Sequence, residues 1–204
     1  SLMLLASGGA QKDGKVYSVK PTDGSGDFTF TRGSNLSATR VNASQLIEKG
    51  RENLLLQSNQ FDTTWATSNI NLTSGQTGYD GSSDAWKFQS GAAGTTEIVQ
   101  SGLSSSLMKT HSVYAKAGNV STLKIYIGGA KEFNLSNGTT SSSNSKITSV
   151  GGGWYRCEVF NITQNFANIY ISATAANEYV YIQDAQVEQG LVATPYIETG
   201  ASTA

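Results

Sequence analysis

Cysteine and histidine each occur once in this 204-residue chain, as Cys157 and His111, and proline occurs only twice. A single cysteine excludes an internal disulfide and a cysteine-based zinc site. A single histidine excludes a multi-histidine metal centre. Any Ser-His-Asp arrangement would have to use His111, which sits in a stretch (residues 111–117) that alternates like a strand. Two prolines leave no room for a proline-rich linker or a collagen-like segment. Charge is scarce as well. Only 14% of residues are Asp, Glu, Lys or Arg, against roughly a quarter in ordinary soluble domains. With 14 Lys and Arg against 15 Asp and Glu, the chain lacks the basic excess from which nucleic-acid affinity is built. The apolar run near the start, residues 2–6, is far too short to insert across a bilayer. No P-loop, nucleophile elbow or kinase signature occurs, and Gly24-Ser25-Gly26 is followed by Thr29 where a dinucleotide fingerprint needs glycine. These absences point to a non-enzymatic chain.

What is abundant is polar and uncharged: serine, threonine, asparagine and glycine make up about two fifths of the residues. A hydrophobic share of 38% and an aromatic share of 9% nevertheless mark a folded chain. Helical periodicity is nearly absent, since Gly50 interrupts the one stretch rich in helix formers, residues 44–57. Period two dominates instead. Leu123, Ile125 and Ile127 alternate with Lys124 and Tyr126, and Ile169 and Ile171 flank Tyr170. Val113 and Ala115 alternate with Ser112, Tyr114 and Lys116, and Tyr155, Cys157 and Val159 with Arg156 and Glu158. Glycine-rich breaks separate these runs, and Asn137-Gly138 is a hairpin signal because both residues tolerate positive φ. The fold class expected is all-β, an antiparallel sandwich or barrel. Residues 1–50 hold short strand candidates at 15–19, 27–31 and 38–42, too few for a stable sheet. They are expected to form an extended β-rich segment that pairs with the domain or with other copies in an oligomeric stalk. Residues 51–198 are expected to form the domain, and the polar tail 199–204 a linker to a following region.

The order of motifs from residue 27 to residue 198 carries a resemblance. It runs through Asp27-Phe28-Thr29-Phe30, Ala38-Thr39-Arg40-Val41-Asn42, Arg51-Glu52-Asn53-Leu54-Leu55 and Phe61-Asp62-Thr63-Thr64-Trp65. It continues through Tyr79-Asp80-Gly81 to Phe88, Ser112 to Gly118, Phe133 to Gly138, Gly153-Trp154-Tyr155-Arg156-Cys157 and Tyr181 to Gly190. In this order the chain resembles a module of tailed-bacteriophage fibre, spike and other virion appendage proteins, itself similar to carbohydrate-binding jelly rolls. Tyr79 departs from the pattern, which often has proline there. The resemblance implies a jelly-roll β-sandwich without catalytic activity, located on a virion, assembled as a homotrimer with other virion proteins and contacting host surface glycans. The alternative is a carbohydrate-binding module of a secreted bacterial polysaccharide-degrading enzyme.

Sugar-binding sandwiches stack aromatic rings on pyranose C–H faces and place amides and carboxylates near the hydroxyls. Trp65 and Trp86 are expected in the core, as is Cys157, with Trp154 in the core or packed at an edge and His111 at a sheet end. The carbohydrate-binding candidates are tyrosines. Tyr126 and Tyr170 lie between inward isoleucines, Tyr114 points opposite to Val113, and Tyr79 sits in a glycine-flanked loop. Tyrosine is equally enriched at protein interfaces, so the pattern serves a glycan or a partner subunit alike. By resemblance, Asp62 and Asp184 are the positions for one structural calcium shared between the first and last strands.

Overall fold

The computed structural model describes residues 52–103, 107–126, 128–140 and 142–203, and five short strands before them. The chain divides into two compact units, Ser1–Ala38 and Thr39–Ala204. In the first, β1 (Met3–Leu4), β2 (Ala10–Lys12) and β3 (Lys15–Tyr17) form an antiparallel sheet in that order. The strand expected at residues 27–31 lies outside the described residues. The second unit opens with a hairpin of β4 (Thr39–Val41) and β5 (Ile47–Lys49).

Two six-stranded antiparallel sheets follow. Their strands are β6 (Ala66–Ser68), β7 (Ile70–Gln76), β8 (Ala85–Ser90), β9 (Gly94–Ser101), β10 (Lys109–Ala117) and β11 (Thr122–Tyr126). The rest are β12 (Ala130–Asn134), β13 (Thr139–Thr140), β14 (Ser145–Gly151), β15 (Trp154–Ile162), β16 (Phe166–Ala173) and β17 (Tyr179–Gln189). The first sheet has the order β14-β15-β10-β17-β8-β7, the second β13-β12-β11-β16-β9-β6. The chain passes repeatedly from one sheet to the other, and the fold is an antiparallel jelly-roll β-sandwich. No helix occurs among the described residues.

Alternation decides which side chains meet between the sheets. Val113, Ala115, Cys157, Val159, Val180 and Ile182 face inward from the first sheet, Ile98, Leu123, Ile125, Ile169 and Ile171 from the second. Phe61 closes the core with its ring edge-on to Trp65 (5.4 Å) and Trp86 (6.1 Å). Both indole N–H groups donate to the preceding turn, Trp65 to Gln57 O and Trp86 to Asn59 O. His111, expected at a sheet end, is the third residue of β10. It lies on inner strand β10, fully buried, and desolvation lowers its pKa to about 3, so it stays neutral.

One turn differs from the simplest sequence reading and one follows it. Asn137-Gly138 does close a hairpin, between β12 and β13, but through the four residues 135–138. Only Gly138 takes a left-handed φ (+68°), while Gly138 N bonds Asn134 O. Between β14 and β15, Gly151, Gly152 and Gly153 all have positive φ, a run that side chains would strain.

Strand β17 carries a bulge. Ser112 pairs with Gln186 and Tyr114 with Gln183, so two steps along β10 match three along β17. Asp184 absorbs the extra residue with φ +54°. Strand β8 pairs β17 only from Tyr179 to Ile182, leaving the far half of that edge open. Residues 53–59 fill it. Leu54 N donates to Val187 O, Ala185 N to Ser58 O, and Asp184 N to Asn59 Oδ1. Asn53, fully buried, gives its Nδ2 to Ala185 O and Ile197 O and takes Val187 N and Leu55 N on Oδ1. The end of the domain joins here too. Gln57 N donates to Gly200 O, and Thr199 is buried against Ser58 and Leu55 O. Thr199 and Gly200, expected in a linker, are therefore part of the sandwich. Asn53→Ala strands several buried backbone groups and is expected to cost about 3 kcal/mol. Chemical denaturation of the variant checks this.

Candidate functional site

Cross-strand register places the outward side chains in rows. On the first sheet one row reads Trp154, Lys116, Tyr181, Lys87, Thr73 across β15, β10, β17, β8 and β7. The next holds Arg156, Tyr114 and Gln183. On the second sheet Lys124, Tyr170 and Glu97 lie in one row, flanked along β11 and β16 by Tyr126 and Phe166.

The four candidate tyrosines thus fall into two pairs on opposite faces of the sandwich. Tyr126 and Tyr170 share the outward face of the second sheet. Tyr126 is 38% exposed, and its ring lies 5.9 Å from that of Phe166, at 20° between planes. Around this platform stand the Lys124–Glu132 ion pair (2.8 Å) and the Asn168 amide, whose Nδ2 donates to Glu97 Oε2. Phe166 was not singled out in the sequence, although it continues the spacing of Tyr170 and Asn168 along one strand face.

Tyr79 and Tyr114 meet on the first sheet, and here the sequence expectation is corrected. Tyr114 does point opposite to Val113, yet it is 8% exposed because Tyr79 lies flat on it (centroids 3.8 Å, planes 6° apart). Trp154 meets Tyr79 at 6.5 Å, and Tyr181 and Tyr196 pack against the same cluster. Alternation assigns Tyr114 to a face; it carries no information on the loop that folds back over it. Tyr79 is fixed by Gln183, whose Oε1 accepts from Tyr79 N, and by Asp184, whose Oδ2 accepts from the hydroxyl at 3.0 Å. Burial and the facing carboxylate push the Tyr79 hydroxyl pKa well up. Tyr181, with Tyr179 edge-on at 5.5 Å, is the ring left facing outward; sequence reading overlooked it despite its alternation with Val180 and Ile182.

Asp184 is buried in the bulge, and desolvation raises its pKa from 3.8 to about 7. Asp84, Asp80 and Glu198 add to the rise. Asp80 itself is held low by the Ser82 hydroxyl. Asp62 stands exposed in the turn after Phe61. Among the described residues no three His, Cys, Asp or Glu side chains are arranged to hold a metal ion. Asp184 Oδ2 accepts the Tyr79 hydroxyl, so a calcium ion shared with Asp62 would compete with Tyr79 for that oxygen.

Two hollows flank these groups. A cleft of about 380 Å³ at one end of the sandwich is lined by Asn59, Ser74, Asp84, Trp86 and Glu198, among others. A smaller one of about 200 Å³ lies between Gln76, Thr77, Lys116 and Tyr181.

No protein-family model and no curated protein matches the chain. Among solved structures it is similar to TmCBM61 in complex with beta-1,4-galactotriose, at 14% identity and TM-score 0.42, covering 68% of this chain and 99% of that one. It is similar to an arabinose-bound α-L-arabinofuranosidase, MgGH51, at 13% identity and TM-score 0.41, over 67% of this chain and 26% of the other. A third is the CBM22-1-GH10 pair of Clostridium thermocellum endo-1,4-beta-D-xylanase 10B with xylohexaose, at 12% identity and TM-score 0.40, over 72% and 29%. Carbohydrate-binding modules are thus among its structural neighbours, and the chain spans under a third of the two enzymes. Likeness at this level does not bear on what the chain binds.

A carboxyl whose folded pKa is raised contributes stability fully present below its unfolded value and lost as pH rises through the folded one. For Asp184 that window runs from about 4 to about 7. His111, with its pKa lowered from 6.5 to about 3, acts in the opposite sense as pH falls. Comparing two variants that share His111 cancels its effect. The melting temperature gained by Asp184→Asn is expected to grow from about pH 4 and level off above about pH 7. A pH series of melts checks the slope.

Proposed function

We propose that the domain is a non-catalytic carbohydrate-binding module whose platform is the outward face of the second sheet. The Tyr126–Phe166 pair carries this reading. Two nearly parallel rings from neighbouring strands β11 and β16, one of them 38% exposed, offer apolar surface to solvent. The C–H face of a sugar ring fits such a surface. Tyr170, the Lys124–Glu132 pair and the Glu97 carboxylate supply donors and acceptors for hydroxyls along the same face. The setting in this proposal is an appendage of a bacteriophage particle, assembled as a homotrimer and touching host surface glycans, as the sequence resemblance implies.

Tyr126→Ala is expected to weaken retention in gels of neutral polysaccharide about tenfold, the share of one stacked ring. Its melting temperature should hardly change, because the ring is outside the core. A panel including β-1,4-galactan and xylan serves as probe, and a wild-type chain retained by none of the panel overturns the reading. Light scattering reads the setting. A stable trimer supports the virion appendage; a monomer retained on polysaccharide supports the module of a secreted polysaccharide-degrading enzyme.

A further inference from the structure

The first sheet presents a different chemistry. Its outward row sets Tyr181 between two lysines, Lys116 on β10 and Lys87 on β8. One strand separates them, so their backbones are about 10 Å apart. Among the described residues neither lysine makes an ion pair; the pairs formed there are Lys124–Glu132, Lys146–Glu158 and Arg156–Glu158. Both side chains are nevertheless placed. Lys87 Nζ stands 4.2 Å from the ring centre of Tyr179, and the stem of Lys116 runs along the Gly153 turn. Between Lys116 and the Tyr181 ring opens the hollow of about 200 Å³, with Gln76 and Thr77 on its other side.

We propose that this Lys116–Tyr181–Lys87 row is a second saccharide site, selective for a sugar that carries a carboxylate, a uronate. The ring of Tyr181 takes the sugar's C–H face. The ammonium groups, one on either side of the ring, take carboxylates of a polyuronate by charge-assisted hydrogen bonds. Gln76 and Thr77 serve the hydroxyls. The carboxylates on this side lie beyond Gln183: Asp80 and Asp84, both bonded by Ser82 and the latter by Gln183 Nε2, and past the bulge Glu158, paired with Lys146 and Arg156, and Glu188, bonded by Thr194. The face is therefore polarised, basic at Tyr181 and acidic past Gln183, which orients an acidic sugar with its carboxylate toward the lysines.

The site shares no residue with the Tyr126 platform, so the two stand or fall separately. Affinity electrophoresis of the whole chain tests it with polygalacturonate, alginate and hyaluronan, with methyl-esterified polygalacturonate and dextran sulfate alongside. The expected result is retention by at least one polyuronate, weakened by esterification of the carboxylates and by salt. Lys87→Gln and Lys116→Gln should each weaken it about tenfold, the loss of one charge-assisted hydrogen bond, with unchanged melting temperature. Lys131→Gln, which removes the same charge from the other sheet, should leave it unchanged. Retention by none of the three polyuronates overturns the proposal, and so does retention unaltered in the Lys87→Gln/Lys116→Gln variant. Dextran sulfate held as tightly as the best polyuronate also overturns it, because the face would then select charge and not a sugar acid. Neutral polysaccharide held while all three polyuronates pass freely overturns this site alone and leaves the Tyr126 platform standing.

Discussion

Where β8 stops, the edge of β17 from Asp184 to Gln189 would be left with unpaired backbone groups inside the protein. Buried amides without partners are costly, and the remainder of the sandwich is arranged around meeting that demand. Residues 53–59 supply a surrogate strand, and the Asn53 side chain stands in for backbone at the point where the bulge breaks the ladder. The same segment takes the end of the domain through Thr199 and Gly200. Start, last strand and end of the domain are thereby tied by one hydrogen-bonded seam. Jelly-roll topology brings them together, and Asn53 fixes their register.

The bulge also divides the outward face of the first sheet. Before it, Tyr179, Tyr181 and Gln183 point outward; after it, Gln186 and Glu188 do. The second half is sealed. Thr194 N and Oγ1 bond the Glu188 carboxylate, Ile197 N bonds Gln186 Oε1, and Arg156 reaches Thr194 O. In the first half the 78–84 loop covers Gln183 and Tyr114, and Tyr179, Tyr181 and the two lysines remain half-buried beside it. The second sheet has no comparable cover over Tyr126 among the described residues, which is why its aromatic pair and not the Tyr79–Tyr114 stack forms the open platform. Tyr79 and Tyr114 each cover one face of the other, and Asp184 accepts the Tyr79 hydroxyl.

Much of this was legible in the chain. Alternation at 123–127, 169–171, 112–116 and 155–159 gave the inward and outward sides correctly wherever those residues are described, and the glycine breaks marked the turns. Even the bulge leaves a trace, because Val180 and Ile182 fall on even positions and Val187 on an odd one, while all three face the core. That phase change is the mark of one inserted residue.

The sequence by itself determined the class of fold, the identity of the core and the outward direction of Tyr126, Tyr170 and Tyr114, because a side-chain period of two is a property of the extended backbone. Only the tertiary structure decided which outward rings remain open, that Tyr79 covers Tyr114, that Asp184 accepts the Tyr79 hydroxyl, and that Lys116 and Lys87 flank one ring. Those relations join residues tens of positions apart, and strand order and loop packing set them; no local pattern encodes either.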